Sequence, residues 1–326
     1  MLRVNTMKLV CLTLTHIPHP MHSSSEIVAI LSLGVTSMQS LPIRTTGQLF
    51  LHSCLHLFGL HRSAFTIAIR VSLSEMLEVC VDSLESAVNA IYGGADELEL
   101  CSSLCDGGLT PSPGLVKERR TKVNVMLRCR GGDDFIYSEP EINTMLSDIE
   151  IFKDLGADRF VFGALNGTQV DEPMCIKIIA KSSPVPVTFH RAFDLCSNPK
   201  TAIETVIKLG FDRLLTSGQR PTADDIDAVH LIRSLLATYG SQIDIMPGAG
   251  VNTRNARTFI DIGCKIVHSS CKIERLLPTI ERRLTMGTSD SCRIFITDET
   301  IVRKMKDVLK DVRPSEIVKR EADSST

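Results

Sequence analysis

LEVCVDSLESAVNAIYGGADELELC, residues 77–101, decides the fold. Two short β-type runs, at 77–83 and 97–101, bracket a helical pattern from Leu84 to Tyr92. Gly93 and Gly94 close that helix, and the next strand follows almost at once. A glycine just past a helix takes the left-handed conformation at little cost. The same punctuation recurs: GGAD (93–96), LGAD (155–158), LGFD (209–212) and IGCK (262–265) each end a helix and open a strand.

Working outward, six more β-type runs appear: VNVMLRCR (123–130), RFVFGAL (159–165), VPVTFHRAFD (185–194), DRLLTSG (212–218), IDIMPGAGV (243–251) and KIVHSSC (265–271). Helical patterns lie between most of them, at 139–155, 172–181, 199–209, 223–239 and 253–262. Eight strands alternating with helices over about 200 residues predict an α/β chain folded as a (β/α)8 TIM barrel. The barrel is expected at 75–284, with a thin wall at 113–122, where the crossover is short for a full helix. Residues 285–326 read as a linker, a helix over Asp298–Val312 that Thr297 caps, and a charged, disordered tail.

Residues 1–74 differ. Glu26 is their one acid against five basic residues, and six of the nine histidines fall here. They read as a disordered or irregular extension, with an organelle transit peptide as the alternative and weak metal binding by His16, His19 and His22 as a third.

Composition excludes several classes. A net charge of −2 offers no general attraction for nucleic acid or membrane, and without Trp and with three Tyr there is no stacking platform. The apolar run at 27–35 is far shorter than the roughly 20 residues of a membrane span. Eleven cysteines with no CxxC pair predict reduced thiols and a cytoplasmic setting.

Strand alternation assigns the inner face. Leu77, Val79 and Val81 share one side, which places Glu78, Cys80 and Asp82 toward the axis; likewise Glu99 and Cys101 face in. Arg128 and Arg130, then Thr188 and His190, then His268 follow on later strands. Buried charge must be paired, so Glu78 and Glu99 are expected to meet Arg128 and Arg130 in one network. Two inward thiolates on neighbouring strands, Cys80 and Cys101, suit a soft ion such as Cu(I). An enzyme reading stands beside it. His190 with Asp194, and Glu78 and Glu99, would supply acid–base chemistry. Arg128 and Arg130 would clamp a small phosphorylated or carboxylated metabolite, and Ser217, Gly248, Gly250 and His268 stand at the strand ends where barrels often bind phosphate.

The longer phrases resemble the CutC copper homeostasis family. They are the opening run 77–104 with GGLTPS (107–112), RCRGGDDFIYS (128–138), FGALNG (162–167), PVTFHRAFD (186–194), LLTSG (214–218) and MPGAGVN (246–252), in family order. The resemblance implies a barrel, a link to copper handling, and Cys80 and Cys101 as Cu(I) ligands. It also implies polar mouth residues at Arg128, Arg130, Asp133 or Asp134, His190, Arg191 and Asp194. It carries an expectation of homo-oligomers; the whole reading is of a cytoplasmic protein, also nuclear, with copper or a small anionic metabolite as partner and, from composition, no nucleic acid or membrane. The sequence departs from the family at Cys129, where proline is usual, in the extra Asp of GGDDF, in the shortened stretch before strand 3, in VHSSC, and in the N-terminal extension.

Overall fold

The structure, a computed structural model, describes residues 75–117, 121–278 and 293–310, with the backbone of three strands nearer the N-terminus. The chain divides into two units, Met1–Ser74 and Glu75–Thr326. In the first, Leu2–Val4, Glu26–Ser32 and Thr66–Ser72 pair antiparallel in that order. The two longer strands, EIVAILS and TIAIRVS, are rich in Ile and Val, a local β signal that the regional composition conceals. His16, His19 and His22 lie outside the described residues.

The second unit is the expected barrel. Its strands are β1 (Met76–Val81), β2 (Glu97–Leu100), β3 (Lys122–Met126), β4 (Arg159–Phe162), β5 (Val187–Phe189), β6 (Arg213–Thr216), β7 (Asp244–Pro247) and β8 (Ile266–Ser269). They form one parallel sheet in the order β7-β6-β5-β4-β3-β2-β1-β8. At the seam β7 and β8 lie against each other, so the barrel is nearly closed. A Cβ added at Gly248 there would stand 2.6 Å from Leu215 and 3.4 Å from His268, which is why that position holds glycine.

Helices α1 (Leu84–Gly93), α2 (Pro113–Lys117), α3 (Glu139–Asp154), α4 (Glu172–Ser182), α5 (Pro199–Leu209), α6 (Ile226–Tyr239) and α7 (Ala256–Asp261) follow the first seven strands. The short α2 is the thin wall. Local signals set their ends. Ser83 caps α1, whose last carbonyls are met by Gly94 at φ 91°. Ser138 and Glu141 make a capping box on α3.

The helix expected at 298–312 spans Glu299–Lys310 (α8), and it takes the eighth place in the ring. It packs on α1, α7 and β1. Its buried Val302, Met305 and Leu309 join the main core, and Lys306 reaches Asp96 at 2.5 Å. Between β8 and α8 the chain makes a hairpin, Lys272–Leu276 against Arg293–Thr297. Among the described residues no helix is long and apolar enough to cross a membrane.

Alternation holds within the strands, as far as each one extends. Leu77, Val79, Val81, Leu98, Leu100, Val123 and Val125 are buried against the helix ring. Inside, Leu215, Met246 and Ile266 with Met76 form one apolar plug, and Cys101, Met126 and Val161 another.

Candidate metal centre at the barrel mouth

The interior also holds charge, and its pairing differs from the expectation. Glu78 and Glu97 share Arg213, whose guanidinium stands 3.5 and 2.7 Å away, and both accept from Asn124. Arg128 and Arg130 are not in this network. Parity gives the face of a residue, but β3 ends at Met126, and beyond it the chain leaves the strand. Arg128 instead donates to the carbonyls of Asp106 (2.7 Å), Gly108 (3.2 Å) and Gly132 (2.7 Å). Arg130 meets Glu141, Asp134 and the carbonyls of Gly131 and Ile136. The two arginines therefore strap down the 131–136 loop. Asp134 rather than Asp133 takes the contact, and Asp133 stays exposed. Arg213 and Glu97 were not anticipated from the sequence; the inward parity that Arg213 shares with Leu215 was the available signal.

Glu78 also joins the axis network to the mouth. Its second oxygen lies 2.7 Å from His268 Nδ1. Around His268 gather Cys80 and Glu99, and ligand atoms of Cys80, Glu99 and His268 all lie within 4.8 Å of one another, every one buried. The register explains this: β1 and β2 put Cys80 beside Glu99, and β8 and β1 put His268 beside Glu78. Cys101 is two residues beyond Glu99, just past the end of β2, so the two expected thiols stand in successive layers. The Cys101 thiol turns back to donate to Glu99 Oε2 at 3.6 Å.

Electrostatics follow from burial and neighbours. Burial drives the Glu99 carboxyl up to about 7, with Glu78 adding and His268 opposing. Burial likewise raises the Cys101 thiol well above the ordinary range, and the charges of Glu99 and Cys80 add to it. For Glu78 burial pushes upward too, but His268, Arg213 and Asn124 together hold the carboxyl below its usual value. Burial alone would depress His268; Cys80, Glu99 and Glu78 outweigh it and hold the imidazole well above its usual value.

The other expected site residues form separate groups. Asp194 does not orient His190. It accepts from Thr216 (2.5 Å), the Ser217 and Gln219 amides and Arg191 (3.0 Å), while Arg191 also donates to Ser217 Oγ. This hub ties the β5 and β6 loops together. Gly250, at φ 83°, gives its carbonyl to Asn252 and Asn255. His190, 3% exposed, accepts at Nδ1 from the Ala192 amide. Among the remaining cysteines, Cys175, Cys196, Cys264 and Cys271 are core residues, as packing demands.

Comparison with known proteins agrees with the phrases quoted above. The model of the CutC family matches residues 75–273. The copper homeostasis protein cutC homolog of Homo sapiens is 42% identical over 248 residues, 73% of this chain and 90% of the relative. That of Caenorhabditis elegans is 40% identical over 243 residues, 72% of this chain and 96% of the relative. A solved structure of a copper homeostasis protein CutC from Streptococcus agalactiae superposes with a TM-score of 0.56 at 30% identity, covering 60% of this chain and 98% of its own.

Proposed function

The chain belongs to the CutC family, and from that premise we propose that it takes part in copper homeostasis by holding Cu(I) at the barrel mouth. The reading is carried by the convergence of Cys80, Glu99 and His268 within 4.8 Å. A thiolate and an imidazole suit a soft monovalent ion, whereas the Glu99 carboxylate is a hard donor that serves as a neighbouring charge. Cys80 is the primary ligand and His268 the second, bound through the nitrogen that does not face Glu78 once the ion displaces the proton that its acidic neighbours favour there. Glu78 fixes the ring from behind, the usual arrangement for a ligating imidazole. Cys101, close enough to feel the charge of Cys80, joins as a further sulfur when it releases its proton. Copper is the cargo here, and self-association of the barrel is part of the same proposal.

The test is Cu(I) competition titration of the full chain under reducing conditions, beside Cys80→Ser, Cys101→Ser and His268→Gln. One ion per chain, with affinity lost about 100-fold in Cys80→Ser and about 10-fold or more in His268→Gln, is the expected result. Equal weak binding in all four sinks the thiolate site and returns attention to an enzyme acting on a small anionic metabolite.

A further inference from the structure

A second cluster at the mouth has unmet hydrogen-bonding capacity. His190 accepts at Nδ1 from the Ala192 amide at 3.2 Å. Burial, with the charge of Arg128 adding, lowers its pKa to about 3, so the ring is neutral at physiological pH. A neutral ring whose Nδ1 accepts must carry its proton on Nε2. That Nε2–H is buried and meets no partner among the described residues. Arg128 spends both terminal nitrogens on loop carbonyls, yet its Nε–H is buried and unpartnered too. Both side chains are 3% exposed. A buried donor without an acceptor is costly, and two in one neighbourhood call for an explanation.

One aromatic ring lies against both. The Phe135 centroid is 4.8 Å from that of His190 and 5.0 Å from Arg128 Cζ. Its π-face is a poor acceptor, a weak substitute for an oxygen. Phe135 also sits at φ 50°, a conformation that bulky side chains rarely adopt. Backbone held in that region over a site of unmet donors is where a ligand-linked rearrangement is expected. The loop that carries Phe135 contains Gly131 and Gly132, and the straps from Arg128 and Arg130 hold it to the barrel.

We propose that the Phe135 ring fills a binding subsite for a small oxyanion, a carboxylate or a phosphate, which displaces the ring and accepts hydrogen bonds from His190 Nε2 and Arg128 Nε. The Arg128 guanidinium supplies the positive charge and His190 a neutral donor. This subsite is built from residues other than the Cys80–Glu99–His268 cluster, so it stands or falls independently of the copper reading. In the resting state the ring competes with the ligand, so the apparent affinity is reduced by the fraction of molecules with the ring displaced.

The experiment uses the full chain, Phe135→Ala, and Phe135→Ala/His190→Phe, each confirmed folded by circular dichroism. Inorganic phosphate and malonate are titrated calorimetrically, and 15N-histidine NMR follows His190 in the wild type. Phe135→Ala should bind at least one probe about tenfold more tightly than the wild type, because the competing ring is gone. The gain should vanish in the double variant, and the wild-type Nε2–H resonance should move on addition of the same probe. Equal affinities in the wild type and Phe135→Ala overturn the proposal. So does a gain that survives His190→Phe, since the anion would then sit elsewhere.

Discussion

Replacing Arg213 with methionine tests the account of the barrel axis most directly. Methionine keeps the aliphatic bulk and removes the charge. Arg213 is 3% exposed and faces Glu97 at 2.7 Å and Glu78 at 3.5 Å. Without it the two carboxylates share Asn124, and among the described residues His268 is the one cation left beside Glu78. Breaking a buried ion pair from one side costs about 3–5 kcal/mol, because the remaining charge stays desolvated. Against a total stability of about 5–15 kcal/mol that is a large fraction. For a unit of this size each kcal/mol moves the midpoint by about 2–4 °C, so a fall of about 6–20 °C is expected. Calorimetric melting of the full chain at neutral pH measures it. Glu97→Gln added to Arg213→Met removes one stranded carboxylate and should restore at least half the loss. A midpoint within about 2 °C of the wild type, or a double variant no better than the single, would refute the idea that Arg213 neutralises this pair.

Two other expectations follow from the same geometry. His190 titrates at about 3 in the fold against 6.5 in the free side chain, so between those values the unfolded chain binds the extra proton and stability falls as pH falls. At pH 5 the loss relative to neutral is about 2 kcal/mol, and His190→Phe should melt with a correspondingly flatter acid limb; parallel limbs would contradict the burial argument. At Gly93 an added Cβ would stand 2.6 Å from Val302 Cγ1 and 2.9 Å from the Glu299 carbonyl. Gly93→Ala should therefore cost about 1–3 kcal/mol and expose α8 to limited proteolysis; unchanged proteolysis would show that α8 is not docked there.

The barrel was legible because every strand has its own β-rich run, and β2, β4, β6 and β8 are announced a second time by the glycine that ends the helix before them. Gly94, Gly156, Gly210 and Gly263 all adopt positive φ where the repeated phrase placed them. The inner face was legible from alternation alone, down to Glu78, Glu99 and His268. Height along the axis was not. It depends on how neighbouring strands are staggered, which no single strand encodes. Hence Cys80 pairs in register with Glu99 and not with Cys101, and Arg128 and Arg130, expected inside the third strand, lie beyond its end. Arg213 escaped notice because a charged residue opening a strand reads as a solvent-facing entry. Only its alternation with Leu214, which packs in the outer core, betrays that it points inward.

Glu78 connects the two halves of the argument. One of its oxygens is committed to Asn124 and Arg213 on the axis, the other to His268 at the mouth. An acid buried this deeply stays ionised only while both sides hold it, and an ionised Glu78 is what fixes the His268 ring with its other nitrogen directed away. The axis network and the candidate metal centre therefore share one carboxylate. A barrel built for packing alone would fill these positions with branched apolar residues, as the Leu215–Met246–Ile266 plug does in the same interior. The charged stripe costs desolvation that packing does not require, and its one outlet toward the mouth is the imidazole beside Cys80.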